Sequence, residues 1–154
     1  MKLFNQTVLS LWSLAILAVT LFFLLPQVAG QSEDKDKLQK EVRARLVFDV
    51  AKGFFIVENY KSAIDRLEAF SKLYPESPLK VEAILLENQA RFKLGQFEGV
   101  VAELNTSLSV AGLWSDRYLF WIGEAQFALG HFTEASETYG ALIENYPESN
   151  RALE

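Results

Sequence analysis

A four-residue motif occurs twice in this chain. Residues 74–77 read Tyr-Pro-Glu-Ser, and the same letters return at residues 146–149. The two copies are 72 residues apart, which is two units of 36 residues. Repetition at this spacing is typical of chains that stack one supersecondary unit on the next. The sequence therefore predicts an array of stacked repeats.

Three units become visible when each is aligned on the aromatic residue that follows its internal turn. These residues are Tyr60, Phe97 and Phe132, separated by 37 and 35 residues. The third unit has the fullest pattern and the second is the most degenerate. The matching positions are Val47, Val50, Ala51, Tyr60, Ala63, Leu67 and Pro75 in the first unit, Ile84, Leu94, Gly95, Phe97, Val100 and Leu104 in the second, and Leu119, Ile122, Gly123, Leu129, Gly130, Ala135, Tyr139 and Pro147 in the third.

This pattern resembles the tetratricopeptide repeat, a helix–turn–helix unit with a Leu-Gly turn, a late Ala-x3-aromatic pair and a closing proline. The resemblance implies an all-α solenoid of three repeats after an N-terminal signal or anchor helix. Small residues such as Gly123 and Ala135 allow the two helices of a hairpin to approach closely. Gly95 and Gly130 stand where the first helix must end in a left-handed residue, with Asn59 near that point in the first unit.

Hydrophobic periodicity predicts six helices and no strand. On the first helix, Leu38, Val42, Leu46, Val50 and Phe54 recur at helical spacing and are expected to form its buried face. The expected helices are 38–56, 60–73, 79–94, 97–109, 116–129 and 132–145. The expected repeats are about 44–78, 79–113 and 115–149, followed at 150–154 by the start of an incomplete fourth.

Residues 1–30 differ from the rest of the chain. Lys2 precedes an uncharged apolar stretch of about 18 residues from Val8 to Leu25, and Pro26 and the small residues of 28–30 resemble a processing site. This layout predicts a secretory signal peptide. A retained membrane anchor is the alternative, because the apolar stretch is just long enough to span a bilayer. Both alternatives place the rest of the chain outside the cytoplasm, with residues 31–37 as a polar tether.

Composition excludes several classes of function. The chain has no cysteine, so it carries neither a lipidated cysteine nor a disulfide framework. Removal of residues 1–30 changes the net charge from −5 to −6, which disfavours nucleic acid as a partner. His131 is the single histidine and falls in a turn, and the helical carboxylates, Glu87 among them, are interpreted as a solubilising face. We therefore expect no enzyme activity, no cofactor and no metal.

A narrower resemblance rests on residues 120–132, which read Phe-Trp-Ile-Gly-Glu-Ala-Gln-Phe-Ala-Leu-Gly-His-Phe. This run is similar to repeats of exported bacterial envelope proteins, first the periplasmic accessory protein of the Tol–Pal system and more distantly the lipoprotein of outer-membrane β-barrel assembly. The chain departs from the first by lacking an N-terminal heptad region and from the second by lacking a lipidated cysteine. The resemblance implies an exported adaptor of a periplasmic or envelope-associated complex.

In the tetratricopeptide fold, the fifth, ninth and twelfth positions of each unit line a concave groove. With units beginning at Ala44, Val81 and Asp116, the resemblance implies a ladder of apolar side chains with polar residues between them. The alternative is that the twelfth position packs on the neighbouring hairpin, which we favour for Phe127. The expected partner-binding residues are Phe48, Lys52, Phe55, Leu85, Gln89, Phe92, Phe120, Glu124 and Phe127.

The leading hypothesis is a scaffold that binds a protein or peptide segment in this groove by apolar anchors. The alternative is a structural role, in which the end of the array around Arg151 stacks on another copy of the chain. A further alternative is that the chain is an arm of a larger multi-repeat protein or enzyme complex.

Overall fold

The computed structural model describes residues 34–153, so the predicted signal peptide or anchor, residues 1–30, lies outside the described residues. Within the described range, six α-helices and no β-strand are present, which confirms the all-α prediction. The α-helices are α1 (34–56), α2 (Tyr60–Leu73), α3 (Lys80–Lys93), α4 (Phe97–Ser107), α5 (Ser115–Ala128) and α6 (Phe132–Asn145), with short 3-10 helices at Leu108–Val110, Gly112–Trp114 and Asn150–Leu153.

The chain divides into two compact units, Met1–Val42 and Arg43–Glu154, so the boundary falls within α1, and the packing and cores described below are those of the second unit. Consecutive helices pack on one another, α2 on α3, α3 on α4, α4 on α5 and α5 on α6, and α3 also contacts α5. Phe48 of α1 packs on Phe70 of α2, with ring centroids 5.8 Å apart. The result is three stacked helix hairpins, α1–α2, α3–α4 and α5–α6.

Two hydrophobic cores lie at the junctions between hairpins. The first combines Phe48, Leu67 and Phe70 of the first hairpin with Ala83 and Ala90 of α3. The second combines residues of α3 and α4 with the face of α5, as listed here: Ile84, Leu85, Val100, Leu104, Tyr118, Ile122 and Ala125. Most of the burial therefore arises where one hairpin covers the next, as expected of a stacked array.

The turn inside each hairpin requires a left-handed residue. Gly95 and Gly130 have φ angles of 75° and 80°, as the sequence predicts. In the first hairpin the left-handed residue is Glu58, with a φ of 60°, and not Asn59. Asn59 instead caps α2, because its side-chain oxygen accepts a hydrogen bond from the Ser62 N–H at 3.2 Å.

The close approach predicted at Gly123 is confirmed. A Cβ atom at this position would lie 2.6 Å from the Tyr139 ring, which is closer than van der Waals contact allows. Ala135, on the facing side of the same hairpin, is buried. Helices α5 and α6 are therefore held together by an aromatic ring seated against a glycine.

The prediction for the buried face of α1 is wrong. Leu38, Val42, Leu46 and Val50 are all exposed, and Phe54 is only partly buried. The core-facing side of α1 carries Ala44, Phe48 and Ala51 instead, as the first core shows. Two small residues flanking one large ring let α1 lie close to its neighbours, and periodicity alone does not tell which of two apolar faces packs.

Two boundary predictions also change. Residues 34–37, predicted as part of a polar tether, continue α1, because charged side chains are tolerated on an exposed helix. The predicted start of a fourth repeat is a 3-10 helix over Asn150–Leu153. Ser149, just before it, donates a hydrogen bond to Asp116 Oδ2 at 2.6 Å and so ties this segment to the start of α5.

Among the described residues, no helix is long and apolar enough to span a membrane.

Candidate partner-binding surface

Each hairpin is closed by a pair of aromatic rings. The twelfth-position residue of each unit packs edge-on against the first residue of the next helix. The three pairs are Phe55–Tyr60, Phe92–Phe97 and Phe127–Phe132, with centroid distances of 5.5, 5.0 and 5.3 Å. Such edge-on contacts are the favoured geometry for aromatic pairs. Phe55 and Phe92 therefore stabilise their own hairpins, which the groove prediction did not foresee.

Two residues of the predicted ladder have no surface for a partner. Phe48 is fully buried in the first core, and Leu85 is buried in the second. Both residues lie inside the molecule because the neighbouring hairpin covers them. The expectation that they line a partner-binding groove is wrong.

Three of the nine predicted residues meet at one cavity of about 420 Å³ at the outer side of the third hairpin, lined by Phe120, Glu124, Phe127, Tyr139, Leu142, Ile143, Arg151 and Ala152. Phe120 packs on Trp121 with ring centroids 5.6 Å apart. The Arg151 guanidinium lies 4.8 Å from the Phe120 ring centroid, within reach of a cation–π contact. Glu124 accepts a hydrogen bond from the Tyr139 hydroxyl at 2.7 Å.

A second, shallower cavity of about 490 Å³ shares Phe127, Tyr139 and Ile143 with the first and adds Phe132. Phe127, Phe132 and Ile143 are 60%, 62% and 55% exposed and border these cavities, so they form a contiguous apolar surface and not scattered exposed residues. We call the surface formed by Phe120, Phe127, Phe132, Tyr139 and Ile143 the open face.

The open face matches a buried surface of the preceding hairpin. At the offset of 35 residues that relates Phe97 to Phe132, its members correspond to Leu85, Phe92, Phe97, Leu104 and Leu108. Those five residues belong to the second core, where α5 covers them. Phe92, for example, packs on Trp121 of α5 at 5.1 Å. The alternative interpretation of the twelfth position is therefore confirmed for Phe92. For Phe127, which no described hairpin covers, it stays a prediction.

The remaining predicted residues lie on earlier hairpins. Lys52 is exposed on α1, and Gln89 is partly buried on α3. The open face, by contrast, is built from the third hairpin and the segment after it. Phe132, Tyr139, Ile143 and Arg151 were missed from the sequence, although the 35-residue register to Phe97, Leu104 and Leu108 would have found the first three.

The Tyr139 hydroxyl is a hydrogen-bond donor at the open face. Burial raises the pKa of Tyr139, and its hydrogen bond to Glu124 raises it further, so the hydroxyl keeps its proton and remains a donor. Helix α6 carries Glu134, Glu137 and Glu144 and no lysine or arginine. None of these three glutamates lines either cavity, so the charges at the open face are those of Glu124 and Arg151.

A polar cluster in the molecule also escaped the sequence analysis. Glu87 of α3 is only 2% exposed, so its interpretation as part of a solubilising face is wrong. Arg91, one turn later, donates to Glu87 Oε1 at 2.7 and 3.0 Å. The same guanidinium also pairs with Glu68 of α2 and lies 3.8 Å from Glu103 of α4. We call these four residues the Arg91 cluster. The spacing of Glu87 and Arg91, four residues apart on one helix, is the sequence signal that could have predicted this cluster.

Burial raises the pKa of Glu87 to about 7, and the hydrogen bond from Arg91 opposes this shift without cancelling it. The cluster borders a cavity of about 410 Å³ between α2, α3 and α4. Because one guanidinium contacts carboxylates on three helices, its evident role is to connect the first two hairpins.

Comparison with known families agrees with the geometry of the third hairpin. The profile of a family described as a tetratricopeptide repeat matches residues 117–149, which contain most of α5, all of α6 and the whole open face. The third hairpin is therefore similar to a tetratricopeptide repeat. Such repeats generally mediate protein–protein interaction and form a non-catalytic fold. No curated protein matches the chain. The narrower resemblance to the Tol–Pal accessory protein and to the β-barrel assembly lipoprotein stays a prediction.

Proposed function

We propose that this chain is a non-catalytic interaction module of the bacterial cell envelope that binds a protein segment on the open face of its third hairpin. The observation that carries the proposal is the exposure of Phe127, Phe132 and Ile143 beside a cavity of about 420 Å³. A contiguous apolar surface with a polar border is typical of protein-binding sites.

The chemistry of the open face favours an amphipathic helical segment. Aromatic side chains dominate the surface, and aromatic anchors in a desolvated pocket supply most of the binding energy of many interfaces. Glu124 and Arg151 place one charge of each sign at the edge of the cavity. These charges would fix the register of a bound helix whose apolar side enters the groove.

This proposal relocates the binding site predicted from the sequence. A groove running along all three repeats would rely on Phe55 and Phe92, yet both are partly buried and pack against the two cores, whereas Phe127 is 60% exposed. Alanine at either position would mainly test the stability of the fold. Phe120, Glu124 and Phe127 keep their proposed role because they border a cavity that is open to a partner.

The envelope location rests on residues 1–30, whose basic start, apolar stretch and small residues are typical of export signals. Whether the segment is cleaved or retained as an anchor, the open face would lie outside the cytoplasm.

A capture experiment with the full chain tests the binding site. Tagged wild-type chain and the variants Phe127→Ala and Ile143→Asp are incubated with envelope extract, and bound proteins are quantified by mass spectrometry. We expect both variants to reduce capture of a wild-type partner by about fivefold or more, since loss of a buried anchor costs roughly 1–3 kcal/mol.

Leu113→Ala is the matched control, because Leu113 is 96% exposed and lies outside the open face. It should retain the same partner in wild-type amounts. Circular dichroism of each variant verifies that the helices are intact. Equal capture by the wild type and by both open-face variants would contradict the proposal.

A further inference from the structure

Helix α1 presents an exposed apolar surface of its own. Leu46 and Val50 are 61% and 56% exposed and lie one helical turn apart. At the offsets of 37 and 35 residues that relate Tyr60, Phe97 and Phe132, Leu46 corresponds to Ala83 of α3 and Tyr118 of α5. Val50 corresponds in the same way to Glu87 and Ile122.

The corresponding residues on α3 and α5 face the preceding hairpin. Ala83 is buried in the core that it shares with Phe48 and Leu67 of the first hairpin. Tyr118 is fully buried and donates a hydrogen bond to the Val81 carbonyl oxygen of α3 at 2.9 Å. In α3 and α5 these positions therefore form the surface by which a hairpin stacks on the one before it. In α1 the same surface is exposed, and we call it the α1 face.

The α1 face and the open face are opposite halves of one type of junction. Inside the chain, the first half is supplied by α3 or α5, and the second half by the hairpin that precedes it. The third hairpin offers the second half without a described helix to cover it, and α1 offers the first half without a described hairpin beneath it. Continuity with the internal junctions therefore pairs the two faces.

We propose that the open face receives α1 of a second copy of this chain, so that copies stack head to tail with Leu46 and Val50 against Phe127, Phe132 and Ile143. The inference rests on the proposed function, since it names the occupant of the same site. Each copy would present both faces to two different neighbours, so the contact is heterologous. Such contacts build open chains or rings of copies rather than a two-fold dimer.

Asp49 limits the strength of this contact. It corresponds to Leu86, which packs against the first core, and to Trp121, which packs on Phe92 of the second aromatic pair. In the stacked arrangement, Asp49 would bring a carboxylate towards the Phe127–Phe132 pair, and removing a charge from water is unfavourable. The junction between copies is therefore weaker than the internal ones, and Asp49→Leu should strengthen it.

The chain contains no cysteine, which allows a direct crosslinking test on the full 154-residue chain. One tagged copy carries Leu46→Cys and a second, differently tagged copy carries Ile143→Cys. The two are mixed and treated with a thiol-specific bifunctional reagent. We expect a mixed dimer at a yield at least about tenfold above the pair Leu46→Cys with Leu113→Cys. Both substitutions in one chain should give a ladder of multimers, and Asp49→Leu should increase its length.

The outcomes separate this inference from the proposed function. If Ile143→Cys reacts with Leu46→Cys no better than Leu113→Cys does, head-to-tail stacking is overturned. A second outcome is that, in envelope extract, Ile143→Cys crosslinks instead to a different protein and Phe127→Ala abolishes the capture of that protein. The proposed binding site then stands, and a second copy as its occupant is wrong. If Ile143→Cys crosslinks to nothing and Phe127→Ala leaves capture unchanged, both proposals fail.

Discussion

At the scale of single residues, the three hairpin turns show how one backbone requirement is met with different side chains. Gly95 and Gly130 adopt left-handed conformations that cost glycine little, whereas Glu58 adopts the same conformation with a side chain. For a residue with a Cβ atom, the left-handed region costs roughly 1–2 kcal/mol. The first turn is therefore strained relative to the other two.

Glu58→Gly is expected to stabilise the fold by about 0.5–1 kcal/mol, because relief of the left-handed strain exceeds the extra entropy of glycine in the unfolded chain. Urea unfolding followed by circular dichroism measures the change. Gly95→Ala is the reciprocal control and should destabilise by a similar or larger amount. A loss of stability in Glu58→Gly would contradict this prediction. It would show that the Glu58 side chain stabilises the fold by more than its left-handed backbone conformation destabilises it.

At the scale of elements, each hairpin is held by contacts that recur at the repeat spacing. The edge-on aromatic pairs close all three turns. In the third hairpin, Tyr139 of α6 additionally lies against Gly123 of α5 and donates to Glu124. The separation between α5 and α6 is thus set by one ring, one glycine and one hydrogen bond.

Gly123→Ala should destabilise the protein by about 1–3 kcal/mol, because the added methyl group would lie 2.6 Å from the Tyr139 ring and force the helices apart. Thermal and urea unfolding measure the loss. Gly140→Ala, on α6 of the same hairpin, is the matched control, because nothing lies within 4 Å of a Cβ atom there. It should be stabilising by about 0.5–1 kcal/mol, as alanine favours helix more than glycine does. Equal responses of the two variants would contradict the close-approach argument.

At the scale of the whole molecule, the Arg91 cluster connects the first two hairpins through charge, in addition to the apolar core between them. Glu87 is buried beneath Arg91, and Glu68 and Glu103 approach the same guanidinium from α2 and α4. Burial raises the pKa of Glu87 from 4.5 to about 7. The folded state therefore holds a proton on Glu87 at pH values where the unfolded chain has released it.

This difference predicts a loss of stability with rising pH. The contribution of Glu87 is fully present below its unfolded pKa of 4.5 and is lost as the pH rises to its folded pKa of about 7. Glu87→Gln should remove this dependence, so the unfolding free energy of the variant relative to the wild type should rise by on the order of 1–3 kcal/mol across that window. Urea unfolding at a series of pH values measures it. Glu137→Gln, an exposed substitution on α6, is the control. A difference between Glu87→Gln and the wild type that does not vary with pH would contradict the prediction.

The helices and turns were largely predictable because local rules fix them. The predicted helix at 60–73 coincides with α2 and that at 132–145 with α6, since an aromatic start, helical apolar spacing and a following Tyr-Pro mark both. The candidate site was less predictable. Phe48, Leu85 and Phe120 occupy the same position of successive units, yet only Phe120 borders an open cavity. A repeat pattern treats equivalent positions alike, whereas exposure depends on whether another hairpin follows.

By itself, the sequence determined that the chain is helical, that its repeat period is near 36 residues, and that two hairpin turns have left-handed residues at Gly95 and Gly130. These features follow from local backbone preferences and from apolar spacing along the chain. Only the tertiary structure decided which face of α1 packs, that Glu87 is buried under Arg91, and that the apolar surface left exposed is the stacking face of the third hairpin. Those outcomes depend on which elements meet in space, because burial is a property of the junction between hairpins and not of either hairpin alone.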